Sequence, residues 1–285
     1  MAILSYGQVG WRSASVAPLS TYLLDTYSGA AAAYSLRKLR TAYTGNAITV
    51  RRSSDNTSQN IGFDANGNLD TTSLLSFVGA GNGFVSTWFD QSGSGRNATQ
   101  ATANNQPQIV SSGTISTLNG KPIITFNGTS QFLQTVSPVV GGPFGIFGVG
   151  NTPSGSTSSV LLTQYTVFDA SRFLLYMENP PSTIVGVQVG SNYVEIAGTP
   201  TYGQKLYYYN RNNSNLVEVG HNNSSVNTAT ITTGAQQFKL SFGYFNGGTP
   251  QYTRQNLQEC VIYQSDKSSS RTGISSNINS YYSIY

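Results

Sequence analysis

Asp90, Gln91, Arg96 and Asn97 are the side chains best grouped for chemistry, in the run Trp88-Phe89-Asp90-Gln91-Ser92-Gly93-Ser94-Gly95-Arg96-Asn97-Ala98-Thr99-Gln100. An apolar strand there runs into a Gly/Ser turn that carries an acid, two amides and a guanidinium. Polar groups on a rigid strand end are a common setting for binding or catalysis. These four could hydrogen-bond sugar hydroxyls beside an aromatic plate. The competing reading is structural: Asp90 closes an Asx-turn around Gly93 and Gly95, with Gln91 and Arg96 bonding back to the main chain. Calcium cages recruit several oxygen ligands, and Asp90 has no second carboxylate near it in sequence, so no metal and no cofactor is expected.

Other catalytic chemistries are thinly supplied. His221 is the single histidine. It lies in Val219-Gly220-His221-Asn222-Asn223, which reads as a hairpin turn, and nothing around it resembles a nucleophile elbow. Cys260 is the single cysteine, so an internal disulfide and a cysteine zinc cluster are both excluded. In Glu259-Cys260-Val261-Ile262-Tyr263 it reads as a small buried strand residue. The glutamates are Glu178, Glu195, Glu218 and Glu259, and none has a recognisable catalytic neighbourhood.

The elements that must position these groups are mostly strands. Of 285 residues only 9% are charged, against roughly 25% in ordinary soluble domains. Ser, Thr, Asn, Gln and Gly must therefore cover the surface, a pattern common in secreted and virion proteins. The net charge is +4, and Arg37, Lys38, Arg40, Arg51 and Arg52 cluster in a short span. This cluster reads as a solvated helix face and a strand edge rather than a nucleic-acid stripe. No apolar run approaches the roughly 20 residues that span a bilayer, and residues 1–20 have no signal-peptide pattern. Neither nucleic acid nor membrane is expected as a partner.

Residues 1–24 read as an arm that packs on something else. Residues 30–43, with four alanines followed by Tyr34, Leu36, Leu39 and Tyr43, predict an amphipathic helix. From residue 47 the period changes to two. Strands are predicted at 47–52, 84–89, 122–126, 144–149, 160–163, 173–177, 184–189, 193–196, 205–209, 216–219, 238–242 and 257–263. A short helix over 72–77, capped by Asp70 or Thr71, and a closing helix within 266–285 complete the set. Many short strands broken by Gly, Asn and Pro turns predict an all-β sandwich or barrel. No composition break marks a second domain within 25–285. Tyr207-Tyr208-Tyr209 on one strand must face both sides, so at least one is expected to point outward.

Certain residues carry a resemblance. Asn119-Gly120-Lys121-Pro122-Ile123-Ile124-Thr125-Phe126-Asn127-Gly128 and the segment 259–285 resemble the opening and closing parts of concanavalin A-like (laminin-G-like) jelly-roll domains. The block 33–100, with Tyr-Ser-Leu-Arg, Val-Arg-Arg-Ser-Ser-Asp and Phe-Asp-Gln-Ser-Gly-x-Gly-Arg-Asn-Ala-Thr-Gln, resembles the start of arabinofuranosidase B catalytic domains. It also resembles structural proteins of tailed bacteriophages. The first likeness implies a concanavalin A-like jelly roll over 25–285. The enzyme likeness implies a retaining glycosidase, which needs two carboxyl groups about 5 Å apart, with an adjacent cysteine pair and a nucleophilic glutamate on a mid-domain strand. This chain lacks the cysteine pair. The strand that aligns, 171–176, holds no acid, although Asp169 and Glu178 flank it.

On these grounds the expected function is a non-catalytic virion protein, a fibre, spike or decoration component located in the virion. Its sandwich would bind a cell-surface glycan through Asp90, Gln91, Arg96 and Asn97. It would form a homo-oligomer and meet other virion proteins through residues 1–24. The alternatives are an arabinofuranosidase-like glycoside hydrolase and a scaffold without ligand.

Overall fold

The computed structural model describes residues 22–135, 142–156, 159–164, 173–178, 182–189, 192–199, 201–224, 226–232, 240–246 and 250–285. The predicted arm therefore lies outside the described residues except for its end, as do Asp169 and residues 238–239. Leu23–Thr26 forms a single helical turn whose Leu23 and Leu24 are buried.

The principal strands are β1 (Ala30–Ser35), β2 (Ile48–Arg52), β3 (Ser58–Ile61), β4 (Gly83–Trp88), β5 (Ala98–Thr99), β6 (Gln108–Ser111), β7 (Ile124–Asn127), β8 (Leu133–Thr135) and β9 (Phe144–Asn151). They continue with β10 (Ser159–Gln164), β11 (Phe173–Glu178), β12 (Thr183–Val189), β13 (Asn192–Ala197), β14 (Lys205–Arg211), β15 (Leu216–His221), β16 (Asn227–Thr230), β17 (Leu240–Phe242) and β18 (Arg254–Tyr263). Helix α1 is Thr71–Val78 and helix α2 is Arg271–Tyr282.

All pairings are antiparallel. One sheet runs β3-β2-β4-β6-β7-β18-β9-β14-β15-β16. Strand β1 continues the row of β7 along the same edge of β18, pairing Ala33 with Val261 and Tyr34 with Cys260. The second sheet runs β5-β8-β17-β10-β11-β12-β13. Pairing of Thr87 with Thr99 stitches the sheets together at one corner. The fold is an all-β, concanavalin A-like jelly-roll sandwich with short helices. Its core lies between the sheets and includes Tyr34, Trp88, Phe126, Tyr207, Tyr209 and Phe242.

A second apolar layer lies on the outer face of the first sheet. Ile274, Ile278 and Tyr282 of α2 pack there on Ala33, Phe147, Val149, Leu206, Tyr208, Val261 and Tyr263. This layer explains two departures from the sequence reading. The helix expected over 30–43 does not form: Ala30–Ser35 is strand β1 and 36–43 is turn and irregular chain. Ala32, Ala33 and Tyr34 are fully buried, because β1 has the sandwich core on one side and α2 on the other. A helix preference of a few tenths of a kcal/mol per alanine is outweighed by the main-chain bonds to β18 and by that double burial. Likewise Tyr208 points away from the core yet is only 2% exposed, since α2 covers it. Helix α1 forms as predicted, with Asp70 capping it through the Ser73 N–H at 2.9 Å.

Candidate functional site

Strand β4 delivers the turn. Trp88 is fully buried, with ring centroids 5.7 Å from Tyr34 and 5.5 Å from Phe242. Just beyond it the Asp90 carboxylate, 4% exposed, accepts four hydrogen bonds. Its Oδ1 takes Ala33 N–H and Ser92 N–H, each at 2.8 Å, and its Oδ2 takes Ser92 Oγ at 2.9 Å and Arg96 N–H at 3.0 Å. Gln91 is fully buried: its Oε1 accepts from Leu39 N–H and its Nε2 donates to the carbonyls of Ser35 and Arg37. Arg96 Nη1 donates to the Ala31 carbonyl at 2.6 Å, and Asn97 Oδ1 accepts from Asp90 N–H at 3.0 Å. The structure thus brings all four residues together, and each bonds the chain's own main chain. The turn is clamped to β1 and to the segment that follows it.

The basic cluster takes a different form from a solvated face. Arg37 is buried and bidentate on fully buried Glu259, Nε to Oε2 at 2.8 Å and Nη2 to Oε1 at 3.0 Å. Ser35 Oγ donates to the same Oε2, and the Arg37 guanidinium lies 5.0 Å from the Tyr281 ring centre. Burial alone would lower the Arg37 pKa, but the Glu259 charge and hydrogen bond leave it raised. Cys260 is buried in β18 and its thiol pKa is pushed up by burial.

Carboxylates that could catalyse were not resolved by motif, and the fold sorts them. Glu178, at the end of β11, is fully buried and takes the Lys205 ammonium on Oε1. Among the described residues its Oε2 and the Tyr207 hydroxyl are buried without a hydrogen-bond partner. Glu195 accepts from Thr183 Oγ1 at 2.7 Å. Glu218 and Asp266 come together from β15 and from the segment before α2: Asn210 Nδ2 donates to Glu218 Oε2 at 3.3 Å and to Asp266 Oδ1 at 2.8 Å. Those two contacts bound the separation of the oxygens at about 6 Å. Tyr208 Oη donates to the same Glu218 oxygen at 2.9 Å. The Asp266 pKa is lowered: burial opposes ionisation, and the bonds from Ser268 and Asn210 outweigh it. Sequence spacing gave no sign of this pair, since its members are 48 positions apart and, among the described residues, Asn210 joins them.

Residues 23–173 match the family described as "Alpha-L-arabinofuranosidase B, catalytic". The chain belongs to that family. Solved structures agree at the level of fold. An arabinofuranosidase complexed with arabinofuranosyl-α-1,2-xylobiose superposes with a TM-score of 0.72 at 15% identity, covering 90% of this chain and 64% of that one. A GH54 α-L-arabinofuranosidase mutant soaked with 4-nitrophenyl α-L-arabinofuranoside gives 0.71 at 14% identity, and the same kind of enzyme soaked with a cyclic sulfate inhibitor gives 0.70 at 14%, both with the same coverage. The chain therefore spans about 64% of the length of these enzymes. Among curated proteins no sequence matches.

Family membership overturns the expected non-catalytic virion role, and with it the reading of the chain as a non-enzyme. That expectation leaned on a resemblance to phage structural proteins, which no comparison supports, on a neutral polar surface, on a missing signal peptide and on a missing catalytic pair. A surface rich in Ser, Thr and Asn follows from composition in any compartment. The absence of an acid at one aligned strand does not count the carboxylates that other strands bring together.

Proposed function

We propose that the chain is a glycoside hydrolase that cleaves α-L-arabinofuranosides. The observation that carries this is the family match over residues 23–173. The sandwich shared with solved arabinofuranosidases supports it. Hydrolysis with retention needs one carboxylate as nucleophile and a second carboxyl group as proton carrier, about 5 Å apart. Among the described residues Glu218 and Asp266 share the Asn210 amide, which keeps one pair of their oxygens within about 6 Å, and both are partly exposed. Asp266, held ionised by Ser268 and Asn210, is suited to attack. Glu218 would then be the second carboxyl group, with Tyr208 fixing its Oε2. Glu178, sealed beside Lys205, is the competing carboxylate.

The test is release of 4-nitrophenol from 4-nitrophenyl α-L-arabinofuranoside by the full chain. Turnover that falls at least about a hundredfold in both Glu218→Gln and Asp266→Asn supports the pair. Turnover lost only in Glu178→Gln moves the chemistry to the sandwich interior. No release by the unaltered chain over a day at high enzyme concentration overturns the hydrolase reading itself.

A further inference from the structure

The loops between β1 and β2 and after β3 enclose an open polar groove of about 470 Å³, a volume in the range of small-molecule sites. It lies apart from the Glu218–Asp266 pair and shares no residue with it. Its walls include Tyr22, Lys38, Tyr43, Asn46, Phe63 and Asp64. From these we propose that the groove is a saccharide-binding subsite, which takes one or two neutral sugar units of a polysaccharide chain.

Three features argue for a built site rather than a gap between loops. First, the rings are seated. A Cβ on Gly45 would lie 2.6 Å from Tyr43 Oη and 2.7 Å from its Cζ, so the Tyr43 ring rests against Gly45. A Cβ on Gly67 would lie 2.8 Å from Tyr22 Oη and 3.0 Å from its Cε1, so the Tyr22 ring rests against Gly67 in the same way. Tyr43 is further fixed by its hydroxyl, which donates to the Asn46 carbonyl at 2.9 Å, and by an edge contact to Phe63 at 6.3 Å between centroids. Plates held in place before binding lose little entropy on contact.

Second, polar capacity is left over around the plates. Among the described residues the Lys38 ammonium has only the Tyr22 ring, 5.7 Å from its centroid, and no carboxylate. The Asn46 side-chain amide makes no hydrogen bond there. Asp64 Oδ1 is taken by the Asn66 and Asn68 N–H groups, but Oδ2 accepts only from Asn68 Nδ2 at 3.2 Å. Third, the set is chemically mixed. An ammonium, an amide and a carboxylate oxygen together match the alternating donors and acceptors of a sugar ring. The Tyr43 ring supplies an apolar surface for its C–H side. An anion would be repelled by Asp64, and a purely apolar ligand would strand the polar groups.

Binding needs no turnover, so this subsite survives if the hydrolase reading fails. The experiment is affinity electrophoresis of the full chain through soluble arabinoxylan, with titrations of xylobiose and L-arabinose followed by NMR. Retardation by arabinoxylan, weakened at least about tenfold in Tyr43→Ala and weakened in Asn46→Ala, supports the subsite. Tyr43→Phe, which keeps the plate, should stay within about twofold of the unaltered chain. Asn46→Ala keeps the test sharp if Tyr43→Ala loses its fold. Failure of all three saccharides to bind at millimolar concentration overturns the proposal. So does unchanged binding in both alanine variants with unaltered melting temperature.

Discussion

The Arg37–Glu259 pair offers the sharpest test of how this sandwich holds its helix. It ties β1 to β18 beneath α2, and Tyr282 Oη adds a bond to Glu259 Oε2 at 3.3 Å while Arg37 Nη1 reaches Asn277 Oδ1 at 3.2 Å. Side-chain exposure is 8% for Arg37 and 0% for Glu259. Removing one partner leaves an unpaired charge almost sealed from solvent. Such a break costs about 3–5 kcal/mol. A chain of this length shifts its melting temperature by about 2 °C per kcal/mol, so Glu259→Gln should melt about 6–10 °C lower. Arg37→Met should fall by a similar amount, because the stranded carboxylate is equally uncompensated. The double variant Arg37→Met, Glu259→Gln removes both charges and should be more stable than either single one, since the desolvation cost goes with them. Denaturant unfolding of all four proteins gives the coupling directly. Single variants within about 1 kcal/mol of the unaltered chain, or a double variant whose loss is the sum of the two, would refute a buried, coupled pair.

Asp90→Ala should destabilise by about 2–4 kcal/mol, because it leaves the Ala33, Ser92 and Arg96 N–H groups without their acceptor. Asn97→Ala, which removes one bond, should cost about 1 kcal/mol, and equal losses in the two would contradict a hub centred on Asp90. The Asp70 pKa is lowered by its hydrogen bonds from the Ser73 side chain and N–H. Its folded pKa lies below its unfolded one, so its cap contributes fully above the unfolded value near 3.9 and fades as pH falls through the folded value. Asp70→Ala should cost about 1 kcal/mol at pH 7. The gap to the unaltered chain should close in strong acid, and a gap that widens on acidification would reverse the sign of this linkage.

Most of the sandwich was legible because its strands alternate over short runs between Gly, Asn and Pro turns. Leu216–His221 and Thr183–Val189 extend their predicted spans by only a residue or two. The miss at residues 30–35 has a definite cause. Four alanines in a row carry no period, so neither helix nor strand alternation can be read from them, and propensity decides by default. What fixes β1 is its register on Cys260 and Val261, more than two hundred residues away. The same distance hides Arg37, which looks solvated among Lys38 and Arg40 until Glu259 is laid beside it.

The candidate sites divide along the same line. Asp90, Gln91, Arg96 and Asn97 are close in sequence and were found by spacing, because a turn gathers neighbours. The Glu218–Asp266 pair and the Tyr22–Tyr43 groove join residues from separate segments of the chain, and no spacing rule reaches them. That contrast bears on how the chain can act. A turn whose carboxylate already accepts four hydrogen bonds from its own chain would have to give some of them up to hold a ligand, and each exchange offsets part of the binding energy. The Asp64 Oδ2 and Asn46 groups in the groove need give up nothing comparable. Chemistry and recognition in this sandwich are therefore to be sought where side chains converge with capacity to spare, and the Trp88–Gln100 turn serves them by holding β1 and β4 in place.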